Sequence, residues 1–160
     1  MKNKTALNII LFISIFVLIS AYFVEYILGY KPCNLCLIER LPYFFAIIII
    51  LLCLTINKFY KIVFILLTIT FAVGTILSFY HFGIEQGFFK ESLVCVTNNE
   101  INSLAKEDLI KELQKKVVSC KDVQFTLLGL SLAIINTIIS FILSVITLKY
   151  FLNYEKSRYK

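Results

Sequence analysis

The stretch KPCNLCLIERLP, Lys31 to Pro42, lies between two apolar runs, with Cys33 and Cys36 in a C-x-x-C and Arg40 four residues further on. A C-x-x-C serves as half a zinc site, as a redox dithiol or as a short staple. Its surroundings narrow the choice. The chain is 59% hydrophobic and 16% charged, with mean hydropathy +0.86. Soluble domains carry roughly 45–50% apolar and about 25% charged residues. Several apolar runs approach the ~20 residues with which a helix crosses about 30 Å of hydrocarbon. The expected fold class is therefore all-α integral membrane: one domain over residues 1–160, a four-transmembrane-helix bundle with two extracytoplasmic cysteine-bearing loops.

Spans are expected at about 7–28, 41–56, 62–82 and 125–148, with outer loops at about 29–40 and 83–124. Lys2 and Lys4 before the first run also fit a signal peptide. That run is long for a cleaved leader and no small-x-small site follows, so it is expected to remain as the first span. The second span is short unless its helix starts near Cys33, where Pro32 is tolerated at the helix entrance. Asn57 to Lys61 forms a basic turn.

Four spans put both termini on one side. Lys2, Lys4, Lys58, Lys61, Lys149, Lys156, Arg158 and Lys160 share that side, with Glu155 the acid among them. Positive residues in short loops mark the cytoplasmic face, so a multi-pass membrane protein with cytoplasmic termini is expected. The net charge of +6 then reports orientation, not nucleic-acid binding. Within the second outer loop, Thr97-Asn98-Asn99-Glu100 reads as a capping box. Ile101, Leu104, Ala105, Ile110, Leu113 and Val117 follow at near-helical spacing, as a surface helix or a packed loop helix.

The five cysteines segregate with this topology. Cys33 and Cys36 fall in the first outer loop and Cys95 and Cys120 in the second, on the side where disulfides persist. Cys53 lies inside the second span and reads as a small hydrophobe. A C-x-x-C disulfide closes too small a loop to add much stability, but suits redox cycling. Cys36 falls in the first turn of a helix, whose positive end attracts a thiolate. Arg40 at i+4 lies on the same face. A metal site would need four matched ligands, and Cys95 and Cys120 are not spaced as a second C-x-x-C. The expectation is no metal and an electron relay by thiol–disulfide exchange. No haem, flavin or iron–sulfur pattern is present to receive the electrons, which leaves room for a lipid-soluble quinone.

These residues resemble the DsbB family of bacterial disulfide-bond formation proteins. The resemblance rests on P-C-N-L-C-L-I-E-R at Pro32 to Arg40, Y-H-F-G-I-E-Q-G-F-F at Tyr80 to Phe89, and S-C-K-D-V-Q-F-T-L-L-G-L at Ser119 to Leu130. It implies a membrane thiol:quinone oxidoreductase that reoxidises a periplasmic thioredoxin-fold oxidase (DsbA-like) and passes the electrons to ubiquinone or menaquinone. It implies that the partner attacks a Cys95–Cys120 disulfide, at Cys95. Cys120 then exchanges with the Cys33–Cys36 pair through Cys33, and Cys36 faces the quinone with Arg40 beside it. His81 becomes a candidate quinone contact or proton donor, against the plainer reading of interfacial packing. Glu25 departs from the glutamine the resemblance implies there, Glu39 is a minor variant of the motif, and Glu85 has no assigned role. Three rivals stand beside this reading. In vitamin K epoxide reductase-like enzymes the loop cysteines precede the C-x-x-C, the reverse of the order here. A membrane reductant carrier needs partnered cysteines within the spans. A disulfide-stapled scaffold needs the cysteines only for folding.

Overall fold

The computed structural model describes residues 2–56, 59–90, 95, 119–121, 123, 125–127 and 129–158. The capping box and helix expected between Thr97 and Val117 lie outside them. Helix α1 spans Lys2–Tyr26, α2 Asn34–Ile38, α3 Leu41–Ile56 and α4 Tyr60–Glu85. A two-stranded antiparallel hairpin follows, β1 Thr126–Leu127 and β2 Leu130–Ser131, and α5 spans Leu132–Arg158. Among the described residues, four helical stretches are long and apolar enough to cross a bilayer: Lys4–Tyr26, Asn34–Ile56, Tyr60–Glu85 and Leu132–Asn153. The protein is thus a multi-pass helical membrane protein. Large apolar side chains such as Phe12, Phe16, Phe45, Ile76 and Phe141 point outward. In a membrane they meet lipid, which satisfies them without a protein core.

The second span bridges α2 and α3 and starts at Asn34, seven residues before the Leu41 expected from the apolar run. Its interruption at Glu39 and Arg40 has a local cause. Pro42 has no N–H to bond the Ile38 carbonyl, and its ring crowds that carbonyl. The chain tightens there, the Arg40 N–H bonding the Leu37 carbonyl at 3.2 Å. The expected last span, from 125, also changes. Gly129 at φ +82° makes a tight turn, pairing Thr126 with Ser131 and Leu127 with Leu130. The helix therefore begins only at Leu132. The Ser131 hydroxyl accepts from the Ile134 N–H at 3.4 Å, an N-terminal cap. The helix then continues to Arg158, because the polar tail after Leu148 does not break it.

At the other ends, α1 stops at Tyr26, where Leu28 reaches back to the Phe23 carbonyl at 3.2 Å and Gly29 takes φ +77°. Helix α4 closes likewise: the Phe88 N–H bonds the Gly83 carbonyl at 2.8 Å ahead of Gly87 at φ +77°. The Phe89 ring folds over Gly83, where a Cβ would collide with it.

The buried residues form two clusters at opposite ends of the bundle. One gathers Leu7, Ile10, Ala46, Ile50, Phe64, Leu67, Phe71 and Leu143 near the chain termini. The other holds Cys33, Leu35, Ile84, Cys95 and Cys120. Helices α4 and α5 share the most extensive contact, while α1 leans mainly on α3. The tightest approach is at Gly74 on α4. A Cβ there would sit 3.3 Å from Pro42 Cβ and Cγ and 3.5 Å from Ser140 Oγ. Two further methyls have no room, so Gly74→Val should cost about 1–3 kcal/mol by overpacking. Thermal unfolding in detergent measures it; an unchanged midpoint would mean the three helices slide apart freely.

Candidate active site

Cys33 is the N-cap of α2. Its Sγ accepts the Cys36 N–H at 3.2 Å, and the two sulfurs lie 2.7 Å apart without being bonded. The extended backbone of Cys33 turns its side chain back over the helix start. His81, carried on α4 and only 3% exposed, brings Nε2 to 3.5 Å from Cys33 Sγ. Its Nδ1 lies 2.7 Å from Glu39 Oε1. Glu39 is the C-cap of α2, three residues after Cys36 and on its face of the helix. Glu39 Oε2 accepts from Asn136 Nδ2 at 2.8 Å. Asn136 also donates to Ser78 Oγ at 2.6 Å and accepts from the Tyr43 hydroxyl at 2.5 Å. Tyr43 and Ser140 are 2.9 Å apart, linking α3 to α5.

The Cys33 sulfur collects these donors. It is lowered from the ordinary 9.0 to about 5, chiefly by the hydrogen bond from Cys36. Burial opposes the shift, and the hydrogen bond and charge of His81 reinforce it. The resemblance implies a thiolate at Cys36; in this arrangement the hydrogen bonds gather on Cys33 Sγ, from the Cys36 N–H, the Cys36 thiol and the His81 ring.

Arg40 has a partner that the sequence did not pair it with. Its guanidinium donates to Glu25 Oε2 at 2.6 Å and lies 4.9 Å over the Tyr22 ring. Its charge is shared with α1 before it reaches the dithiol. Cys33, Cys36, Glu25, Glu39, Arg40, His81 and Glu85 all line one cavity of about 650 Å³. Apolar residues of α1 and α5 make up much of the remaining wall, among them Phe16, Phe23, Ile135 and Ile139. Phe16 and Phe23 also belong to the outward-facing surface, at 61% and 50% exposure. The cavity therefore opens sideways toward lipid.

Cys95 and Cys120 form a disulfide with Cα atoms 5.5 Å apart. Both are 2% exposed and pack in one cluster with Cys33. Thus all six residues singled out by sequence (Cys33, Cys36, Arg40, His81, Cys95 and Cys120) meet at one end of the bundle. Cys53 lies in the other cluster, 3% exposed. Cys33, Cys36 and His81 bring three potential metal-ligand atoms within 4.8 Å. We read them as a dithiol with its histidine, because Cys95 and Cys120 are spent on each other and the His81 ring already serves Glu39 and Cys33. Sequence reasoning missed Glu39 and Asn136 as site residues. The signal was present: an ionisable or amide side chain inside an apolar span is a functional hint by default.

A buried dithiol beside a closed disulfide, at the end of a four-span helical bundle, defines a membrane thiol oxidoreductase. The family model for disulfide bond formation protein DsbB matches residues 3–150, and the chain belongs to that family. An uncharacterized protein of Rickettsia prowazekii (strain Madrid E) is 36% identical over 154 residues, covering 94% of this chain and 89% of its own. No solved structure matches the chain significantly.

Proposed function

We propose that this protein is a thiol:quinone oxidoreductase of the bacterial inner membrane, with cytoplasmic termini, that reoxidises a periplasmic DsbA-like thioredoxin-fold protein. The observation that carries the reading is the shared cavity: the Cys33–Cys36 pair, Arg40 and His81 line a lipid-open pocket, and the second cysteine pair packs against Cys33. A volume of about 650 Å³ is in the range of small-molecule sites, roughly 300–1,000 Å³. Its apolar walls suit a quinone tail, and its few polar groups converge where a head group would be held, by Arg40 and Cys36, with His81 on the same wall behind Cys33. A bound quinone supplies a two-electron, two-proton acceptor.

The chain's own residues do the rest. The partner's thiolate attacks Cys95 of the Cys95–Cys120 disulfide, releasing Cys120. Cys120 attacks Cys33 of an oxidised Cys33–Cys36 pair and releases Cys36. A second partner thiol then frees Cys95, leaving the partner oxidised. Once Cys95 and Cys120 have rejoined, Cys33 and Cys36 hold the two electrons as a dithiol. The Arg40 guanidinium offers positive charge at the cavity wall, shared with Glu25.

Coupled turnover tests the reading. Purified protein, a reduced thioredoxin-fold oxidase and ubiquinone or menaquinone should lose one quinone per partner disulfide formed, followed by quinone absorbance and thiol titration. Thiol oxidation without quinone loss would overturn the acceptor. No exchange in a folded protein would favour the stapled scaffold.

A further inference from the structure

Glu39 and Asn136 have no part in the relay just described, yet they are the most completely bonded polar groups near it. Both Glu39 oxygens are engaged, one by His81 and one by Asn136. Asn136 uses its amide oxygen for Tyr43 and its amide nitrogen for Glu39 and Ser78. A carboxylate accepts only, so the amide group of Asn136 has one orientation here, and so has the imidazole: Nδ1–H faces Glu39 and Nε2 faces Cys33. Glu39, Tyr43, Ser78, His81 and Asn136, five hydrogen-bonded side chains from three spans, hold this arrangement where a misplaced polar group is costly.

We propose that Glu39, locked by Asn136, is the positioning residue that fixes His81 to take the proton of Cys33. The proposal rests on the reading that the Cys33–Cys36 pair cycles between dithiol and disulfide. The step is a proton transfer alone. The Cys33 S–H bond breaks, an Nε2–H bond forms on His81, and no electron changes hands. The imidazolium keeps its Nδ1–H on Glu39, whose negative charge balances it. The arrangement follows the logic of a nucleophile, a base and an orienting carboxylate. The other ionisable groups around His81 do not compete for this role. Glu85 Oε1, on the same helix, is 3.8 Å from Nε2, beyond hydrogen-bond reach. Arg40 is held by Glu25, the Tyr43 hydroxyl by Asn136 and Ser140, and Cys36 lies against Cys33.

The test reads Cys33 directly, in the full chain in detergent, with Cys36→Ser and Cys53→Ser leaving Cys33 free beside the intact Cys95–Cys120 disulfide. The rate of Cys33 alkylation by iodoacetamide is followed from pH 4 to pH 9. The midpoint of the parent should lie below 7. Glu39→Gln should raise it by about one unit, so alkylation well below the midpoint slows about tenfold. His81→Gln should give the same shift, and the double variant no more than either alone. Asn136→Ala should give a smaller shift in the same direction. An unchanged midpoint in folded Glu39→Gln overturns the proposal, as does a Glu39→Gln shift that persists in full on the His81→Gln background. If Glu39→Gln fails to fold, the ring ¹⁵N shifts of His81 in the oxidised wild-type protein decide. A proton on Nδ1 and a bare Nε2 support the proposal, and the reverse tautomer overturns it. Neither measurement uses a quinone or partner, so this proposal and the proposed function fail separately.

Discussion

Cys36→Ser is expected to lower coupled turnover by on the order of a thousandfold or more, as loss of a reacting sulfur does in other thiol and hydroxyl enzymes. The fold should survive. Among the described residues the Cys36 side chain hydrogen-bonds to Cys33, and its backbone N–H still caps the helix through Cys33 Sγ. Serine fits the same space. The Cys95–Cys120 disulfide should therefore remain closed, and the partner should still exchange with it once, leaving a trapped mixed disulfide or a reduced outer pair. Thiol counting on the purified variant, before and after one equivalent of reduced partner, separates this from unfolding. Normal turnover in Cys36→Ser would remove the dithiol from the reaction altogether.

The second large effect concerns Arg40. Its pair with Glu25 is mostly shielded, with side-chain exposures of 11% and 21%. Removing one member strands the other, a cost of roughly 3 kcal/mol for a pair of this kind. Arg40→Met should thus lower the unfolding midpoint and, if the guanidinium also holds a quinone head group, raise the quinone KM about tenfold, equivalent to about 1.4 kcal/mol. Adding Glu25→Gln removes the stranded carboxylate. The double variant should recover stability and keep the raised KM. Recovery of both would show that Arg40 serves only to neutralise Glu25. Thermal unfolding and quinone titration of the three proteins make the distinction.

Much of this was legible in the sequence because membrane chains announce themselves through composition. The four apolar runs and the two cysteine pairs between them required only counting. Boundaries were harder. Hydropathy alone does not see that Pro42 interrupts a span that begins at Asn34, nor that Gly129 turns an apolar stretch into a hairpin. The site was legible where it follows one short stretch of chain, as with Cys33 and Cys36 at the start of α2. It was not where partners come from distant spans. Glu39, His81 and Asn136 are 42 and 97 residues apart along the chain as counted from Glu39, and no periodicity links them. Nor does spacing reveal that the Cys33 side chain turns back to cap its own helix, which makes it, and not Cys36, the sulfur richest in donors.

The sideways opening beside Phe16 and Phe23 of α1 changes what concentration means for this protein. A molecule that enters past Phe16 and Phe23 arrives from the hydrocarbon phase and need never be dissolved in water. Its effective concentration is a mole fraction in the surrounding lipid or detergent, fixed by partitioning. Doubling the detergent at constant total amount would halve that fraction and double any apparent KM quoted per litre of buffer. Quinones of different tail length, compared per litre, would be ranked by their solubility; compared per mole of lipid, they would be ranked by the fit of the cavity.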